Sequence, residues 1–271
     1  MQSKRCALLK SRLTKMSLER QINIKTPAEL STMREAGRIN ATVLAKVREL
    51  LQPGVTTADL NAAAEEVLKS HGSVSPFKGY GRPPYPASIT VCINDEMVHG
   101  IPHPKRKLKD GDIVSIDCGT IFEGYVGDSA FTAGVGEISP EATKLLEVTE
   151  GALYAGIENM RKGKRTGDVS AAIQHYVESR GFHVTREYTG HGVGKEMHEG
   201  PQVPNIGIAG TGMLLRPGVT IAIEPMVLIG TYETRVLPDK WTVVSADGSL
   251  TAHFEHTVAV TEGDPLILTV L

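Results

Sequence analysis

The chain has 271 residues, which is enough for one large domain or two small ones with a substantial buried core. Its 29 basic and 31 acidic residues give a formal net charge of -2, so no overall charge attracts it to DNA or to a membrane surface. The three cysteines are odd in number and widely spaced, and no apolar run approaches the ~18 residues of a membrane-spanning helix. Composition thus argues against a disulfide framework and predicts a protein of the reducing cytoplasm.

Residues 1–20 form a basic N-terminal extension, with six cationic side chains and the single acid Glu19. Its apolar part is too short for the core of a secretory signal peptide. Three interpretations stay open: a disordered basic arm, an organelle transit segment, or translation that begins at Met16 instead. An arm of this charge would be attracted to the phosphates of ribosomal RNA.

Two helices are predicted in the next part of the chain. Thr26 can cap the first helix, Pro27 suits its first turn, and Glu29 stands at the third position of a capping box. The helical period continues to Leu51. A second helix is predicted over residues 58–69.

An internal repeat is visible as two pairs of similar stretches, about 107 to 109 residues apart. The pairs are residues 54–63 with 163–172 and residues 108–117 with 215–224. The repeat predicts that residues 21–271 form one domain of two related halves rather than two independent domains. It also makes Asp117 and Glu224 equivalent, each at the end of a strand and facing a shared centre.

The strand that ends on Asp117 is apolar and β-branched up to that residue. A second β-rich run reaches Asp128, with glycines between the two runs. Two short strands joined by a glycine-bearing turn would bring these carboxylates close together. Buried carboxylates that close repel one another unless a proton or a cation lies between them.

The second half of the chain adds more groups of this kind. His191 lies in a glycine-rich stretch, Glu224 ends a strand, and Glu255 lies within a strand predicted over residues 251–260. Four carboxylates and one imidazole suit two divalent ions such as Co, Mn, Fe or Zn, rather than a thiolate-bound structural zinc. Two such ions lower the pKa of a bridging water and polarise a carbonyl oxygen, so the set predicts hydrolysis of an amide or ester.

Two further histidines stand in loops that contain Gly and Pro. A strand with a turn at Asn94-Asp95 is predicted over residues 87–98 and delivers His99, and His198 has similar neighbours. This context, which recurs in both halves, is typical of a side chain aimed from a rigid loop into a site. Histidines without that context are predicted to be surface residues; they are His71, His103, His175 and His183.

The chain resembles the type 1 methionine aminopeptidases in the order of five ligands and in the stretches at residues 92–102 and 188–194. The five ligands are Asp117, Asp128, His191, Glu224 and Glu255. The resemblance covers about residues 20–268 and implies the pita-bread fold, an α+β fold with a pseudo-twofold, antiparallel-rich sheet covered by helices. It also implies removal of the initiator methionine from nascent proteins with a small second residue, by a metal-bridged water that attacks the peptide carbonyl.

The same resemblance implies a role for each ligand. Asp117 would hold one metal ion bidentately and His191 would hold the other. Asp128 and Glu255 would bridge or share the pair, and Glu224 would double as a proton shuttle.

The resemblance also implies the groups that bind the peptide. His99 and His198 would position it and stabilise the tetrahedral intermediate. The side-chain pocket would be formed by Tyr85, Thr90, Met197 and Trp241. Many relatives have Phe at position 197 and Cys at position 90, and Met197 keeps the pocket apolar and adaptable.

The partners implied are nascent polypeptide N-termini and the ribosome, for a monomeric cytoplasmic enzyme with a monovalent cation near Asn94. Two other functions stay open. A metallopeptidase of the proline-dipeptidase or aminopeptidase P kind shares the metal set but usually has an additional N-terminal domain. A non-enzymatic binding protein on the same fold would have lost metal ligands, whereas all five stand intact here. The short path from Glu224 to Glu255 leaves no room for the helical insert of type 2 relatives.

Overall fold

The computed structural model describes residues 22–271, so the predicted basic extension at residues 1–20 lies outside the described residues. Four helices occur in the described range: α1 (Pro27–Glu49), α2 (Thr57–Ser70), α3 (Pro140–Ile157) and α4 (Thr166–Glu178). None of the helices within residues 22–271 is both long and apolar enough to cross a membrane.

The strands form one large and two small antiparallel sheets. In the large sheet the order is β1 (Ile89–Ile93), β3 (Ile113–Phe122), β4 (Tyr125–Gly134), β13 (Glu255–Ala259), β8 (Thr220–Ile223), β6 (Thr189–Gly192) and β7 (Glu199–Pro204), with β14 (Leu266–Ile267) on β13. One small sheet contains β10 (Thr234–Val236), β11 (Val243–Ser245) and β2 (Glu96–Val98). The other contains β12 (Thr251–His253), β9 (Met226–Leu228) and β5 (His183–Val184). Helices and an antiparallel-rich sheet confirm the predicted α+β class.

The first helix begins where its capping residues predict. The hydroxyl of Thr26 accepts the N–H of Glu29 at 3.3 Å, and the Glu29 carboxylate accepts the N–H of Thr26 at 2.8 Å. One face of α1 buries Met33 and Ile39 against the sheet, in keeping with the helical period of the sequence. Helix α2 spans one residue more at each end than predicted.

The two halves repeat their contacts as well as their sequence. Gly54 donates its N–H to the carbonyl of Leu108 at 2.8 Å, and Gly163 does the same to Leu215 at 3.1 Å. Both glycines have positive φ, which is the conformation that favours glycine in a tight turn. Each contact fixes the turn before a covering helix, α2 or α4, to the segment that leads into β3 or β8. Glu224 directly follows β8 as predicted, whereas Asp117 lies in the middle of β3, so the prediction that it ends a strand was wrong. The strand continues to Phe122 because its pairing with β4 extends that far.

Two predicted strands are each divided in the structure. Residues 87–98 form β1 and β2, which belong to different sheets because β1 pairs with β3 whereas β2 pairs with β11. Residues 251–260 are interrupted at Phe254, so that β12 pairs with β9 and β13 pairs with β4 and β8. The predicted turn at Asn94-Asp95 is confirmed and separates β1 from β2. The prediction of one continuous strand over residues 251–260 was wrong, since local β propensity does not say which sheet a residue joins.

Candidate active site

All eleven side chains predicted for the site line a single cavity of about 160 Å³. They are Tyr85, Thr90, His99, Asp117, Asp128, His191, Met197, His198, Glu224, Trp241 and Glu255. Phe77 and Tyr80, for which the sequence predicted no role, complete the lining. The structure thus brings together residues from both halves of the chain.

The floor of the cavity is made by three adjacent strands. Ala130 of β4 pairs with Asp117 of β3 on one side and with Glu255 of β13 on the other. Paired residues on neighbouring strands point to the same face, and so do residues two positions apart on one strand. Asp128, two residues before Ala130, therefore joins the same face. The small side chain of Ala130 leaves the space between Asp117 and Glu255 open.

The remaining ligands come from the second half. His191 lies on β6, where it pairs with Ala222 of β8, and Glu224 directly follows β8. The Nε2 atom of His191 lies 3.6 Å from a carboxylate oxygen of Asp128 and 3.5 Å from one of Glu224. One potential ligand atom from each of Asp128, His191 and Glu255 lies within 4.8 Å of the others. This spacing is compatible with a shared cation.

Several polar atoms at the floor lack hydrogen-bond partners. Among residues 22–271, the buried side-chain atoms without one include Oδ1 of Asp117, Oδ1 of Asp128 and Oε1 of Glu255. A buried oxygen without a donor costs free energy unless a ligand completes it. Divalent metal ions would satisfy these oxygens, so the residues present fit the metal centre that the sequence predicts.

Burial and mutual repulsion shift the pKa values of the floor in a consistent direction. Burial, followed by the nearby carboxylate of Asp128, raises the pKa of Asp117 well above its usual range. Burial raises the pKa of Asp128 to about 7, and burial together with neighbouring carboxylates raises the pKa values of Glu224 and Glu255 well above their usual range. Burial, followed by the nearby His198, lowers the pKa of His191 to about 4, which keeps its imidazole neutral as a metal ligand requires.

His99 is held in an unusual backbone conformation beside the floor. It follows β2 with φ of +60°, a left-handed conformation that non-glycine residues seldom adopt outside functional or strained positions. Its ring lies 6.0 Å from those of Tyr188 and Trp241, and burial lowers its pKa to about 4. A neutral imidazole in a fixed position can donate a hydrogen bond to a substrate oxygen.

His198 lies opposite, on the loop that connects β6 and β7. Its ring centre is 4.4 Å from that of His191, and its Nδ1 atom is 3.0 Å from the hydroxyl of Tyr80. Burial lowers the pKa of His198, which also favours the neutral form. The contact with Tyr80 orients the imidazole of His198. The sequence did not predict this role because Tyr80 lies in a loop with no periodic pattern.

The apolar end of the cavity is walled by aromatic rings. Tyr85 packs edge-on against Trp241 at 5.1 Å, and its hydroxyl donates to the carbonyl of Gly100 at 2.8 Å. Thr90 pairs with Asp117 across β1 and β3, which places the pocket beside the carboxylate floor. Met197 is half-buried at the opposite wall.

His253 is a further residue of the site that sequence reasoning left without a role. Its Nε2 atom is buried without a hydrogen-bond partner in the described range and lies 3.9 Å from Glu224 and 3.8 Å from Glu255. The alternation of His253 and Glu255 along one β-rich run was a signal that could have indicated it. Burial lowers the pKa of His253 to about 3, so the imidazole beside these carboxylates is neutral.

The other predicted positions lie away from the cavity. The side chain of Asn94 is engaged locally, since it donates to Asp112 at 2.8 Å and accepts the N–H of Ile113 at 3.0 Å. The histidines predicted to be surface residues are all at least partly exposed.

Comparisons with known proteins agree with this geometry. Residues 31–262 match the model of Metallopeptidase family M24. The methionine aminopeptidase of Clostridium acetobutylicum is 50% identical over 248 residues, which are 92% of this chain and 98% of that protein. The methionine aminopeptidase 1 of Bacillus subtilis is 50% identical over 245 residues, covering 90% of this chain and 98% of its own length.

Solved structures give the same answer for the fold. The methionine aminopeptidase of Thermotoga maritima superimposes with a TM-score of 0.90 at 46% identity, over 92% of this chain and all of the other. The prolidase of Pyrococcus furiosus has a TM-score of 0.75 at 20% identity, which shows a shared fold alone. The pita-bread fold predicted from the sequence is therefore confirmed. The chain belongs to metallopeptidase family M24, among its methionine aminopeptidases.

Proposed function

We propose that the protein is a metal-dependent aminopeptidase that removes the initiator methionine from nascent polypeptides with a small second residue. The observation that carries the proposal is one cavity in which four buried or partly buried carboxylates and His191 adjoin an aromatic pocket. Relatives that share half of its residues over nearly their whole length are named methionine aminopeptidases. Both features point to the same reaction.

The metal centre would be held by the residues of the floor and by their second-half partners. They are Asp117, Asp128, His191, Glu224 and Glu255. Co, Mn, Fe and Zn are the candidate ions, because oxygen and imidazole donors suit this group of divalent metals. When bound, a pair of such ions supplies a Lewis acid for the peptide carbonyl and an activated water.

Glu224 is placed to move the proton that peptide hydrolysis requires. Its side chain is 13% exposed, more than those of Asp128 and Glu255 at the floor, so it can reach both the cavity and the substrate. Burial raises its pKa, which makes the carboxylate a better base than an exposed glutamate. The proton taken from the attacking water would then pass to the leaving amine.

His99 and His198 would bind the peptide from two sides of the cavity. The hydroxyl of Tyr80 lies 3.0 Å from Nδ1 of His198, and when it donates to that atom the proton of the neutral imidazole lies on Nε2. That N–H can donate to the oxygen that becomes negative as the carbonyl is attacked. His99, whose ring lies 6.0 Å from those of Tyr188 and Trp241, would hold the peptide beside Glu224.

Methionine preference would come from the aromatic pocket. The rings of Tyr85 and Trp241 meet at 5.1 Å and offer faces and edges to a thioether, which makes favourable contacts with aromatic rings. Thr90 and Met197 set the depth and width of the pocket.

Peptide hydrolysis by purified protein tests the proposal. We expect metal-dependent release of methionine from Met-Ala-Ser, much slower release from Met-Leu-Ser, and no cleavage of Ala-Pro. Elemental analysis of protein purified without added metal would identify the ion that accompanies activity. Cleavage of Ala-Pro in preference to Met-Ala-Ser would contradict the proposal and favour a proline-specific peptidase.

Four further expectations complete the proposal. The protein would act in the cytoplasm, as a monomer, and near the ribosome on emerging N-termini. It would also bind a monovalent cation near Asn94. Light scattering, co-sedimentation with ribosomes at several salt concentrations, and elemental analysis for Na and K test the last three.

A further inference from the structure

A buried ion pair joins the segment before α1 to the far side of the cavity. The Nζ atom of Lys25 lies 2.6 Å from Oε2 of Glu199, and the two side chains are only 4% and 3% exposed. Glu199 is the first residue of β7 and directly follows His198. The pair thus connects residues 174 positions apart at the edge of the proposed peptide site.

Backbone groups of neighbouring segments also bind both residues of the pair. Oε1 of Glu199 accepts the N–H of Lys195 at 2.9 Å and lies 3.4 Å from that of Glu196. The backbone N–H of Lys25 donates to the carbonyl of Gly218, at 2.8 Å, just before β8. Removal of two charges from water offsets most of the attraction between them, so a pair of this kind contributes little net stability. Its effect is to fix the position of the loop that ends at Glu199.

The fixed segment is the loop at residues 194–199, which carries Met197 and His198. At its start, a Cβ on Gly194 would meet both Oε1 of Glu199 and Cε of Lys25 at 2.5 Å, so the chain is packed closely against the pair. Glu199 turns toward Lys25, and its neighbour His198 lines the cavity. Anchoring Glu199 therefore limits how far His198 can move.

We propose that Lys25 is a positioning residue for the aminopeptidase reaction, acting through Glu199 to hold Met197 and His198 against the peptide. The inference rests on the proposed function of the cavity. Under this inference the segment before α1 contributes to turnover, although none of its residues lines the cavity.

Substitution of the pair, with a matched surface control, tests the inference. Lys25→Met removes the cation and leaves Glu199 buried without a partner, so both turnover and the thermal midpoint should fall. Lys25→Met combined with Glu199→Gln removes both charges and keeps a carbonyl oxygen for the loop N–H groups, so the thermal midpoint should recover. Lys162→Met breaks an exposed pair with Glu262, whose side chains are 56% and 75% exposed, and should change neither quantity.

The kinetic result separates positioning from stability. In the double variant we expect kcat/KM on Met-Ala-Ser to remain about 10- to 100-fold below the parent, the range expected from a displacement of about 1 Å in a catalytic group. Bound metal should equal that of the parent. Parent kinetics in the folded double variant, or metal loss in it, would overturn the inference.

Amide hydrogen exchange gives a readout that does not depend on turnover. Peptides that contain residues 194–199 should exchange at least about 10-fold faster in the double variant than in the parent, and at the parent rate in Lys162→Met. Unchanged exchange in the double variant would overturn the inference whether or not the protein is active. Absence of methionine release by the parent, with faster exchange in the variant, would instead contradict the proposed function.

Discussion

The floor and the rim of the cavity are built in different ways. The floor consists of Asp117, Asp128 and Glu255, which lie on three adjacent strands and are related by the register of the sheet. The rim consists of four residues on loops, which are Tyr80, Met197, His198 and Trp241. The loop of Tyr80 connects α2 to β1, and the other loops connect strands. Asp128 and Glu255 are buried and Asp117 is partly buried, whereas Tyr80 is 47% exposed.

The two regions are therefore expected to control different properties of the protein. A carboxylate at the floor cannot move without disturbing three strands, so its position is suited to a metal ion with fixed geometry. A loop side chain is placed by a few specific contacts, such as that of Tyr80 with His198. Substitutions at the floor should therefore change metal content, and substitutions at the rim should change turnover or specificity while metal stays bound.

The largest effect should follow a change at the floor. Asp117→Asn keeps the shape of the side chain and removes the charge, so metal content should fall and kcat/KM should fall by more than about 100-fold, the upper range for groups that merely support a ligand. Chelation of the parent should give the same loss, reversed by a divalent ion. Elemental analysis beside peptide assays measures both effects.

Asp264→Asn is the matched control for that experiment. Asp264 pairs with Arg161 at an exposed site, so neither metal content nor turnover should change. Full activity of Asp117→Asn in the absence of metal would refute the assignment of the floor.

The two neighbouring histidines give the sharpest contrast between floor and rim. His191→Ala should lower metal content, because its imidazole lies among the carboxylates. His198→Ala should keep its metal and lose mainly kcat, by about 10²- to 10³-fold as when one stabilising donor is removed. Metal analysis and steady-state kinetics on both variants decide the matter, and the opposite pattern would mean that the two roles are exchanged.

A smaller effect is expected at the apolar end of the rim. Trp241→Ala removes the ring that packs on Tyr85, so KM for Met-Ala-Ser should rise about 10-fold, within the range for loss of apolar contact in a specificity pocket. Metal content should not change. A drop in metal content would show that Trp241, at the rim, also holds the metal-binding residues of the floor in place.

The smallest effect is expected outside the cavity, at the N-terminal cap of α1. Hydrogen bonds from the backbone of Thr26 and the hydroxyls of Tyr125 and Thr26 lower the pKa of Glu29 from 4.5 to about 2. A depressed folded-state pKa contributes stability that is present above the unfolded value and is lost as pH falls from about 4.5 toward about 2.

Glu29→Gln tests whether the ionised carboxylate of Glu29 stabilises the fold. We expect the parent to have the higher thermal midpoint at pH 6, and the difference to shrink as the pH is lowered toward 3. Metal content and turnover at pH 7 should match the parent. A difference that stays constant with pH would show that the carboxylate charge is not the source of the stability.

The sequence predicted the chemistry of the floor better than its surroundings. Each of the four carboxylates ends or interrupts a β-rich run, a local pattern that can be recognised without the fold, and the repeat related Asp117 to Glu224. The cap at Thr26 and Glu29 was also local and was confirmed. In contrast, the break at Phe254 depends on which sheet each flanking strand joins, so the predicted continuous strand was wrong.

By itself, the sequence determined the helix caps and indicated the candidate ligands and the internal repeat, because these depend on neighbours along the chain or on repetition. Only the tertiary structure decided that His253 lies beside Glu224 and Glu255 and that Tyr80 contacts His198. The contact between Lys25 and Glu199 was decided there too. The contacts of Tyr80 with His198 and of Lys25 with Glu199 join residues far apart in sequence. The position of His253 depends on β12 and β13 belonging to different sheets. These arrangements depend on how loops and strands pack together, which no local pattern of residues encodes.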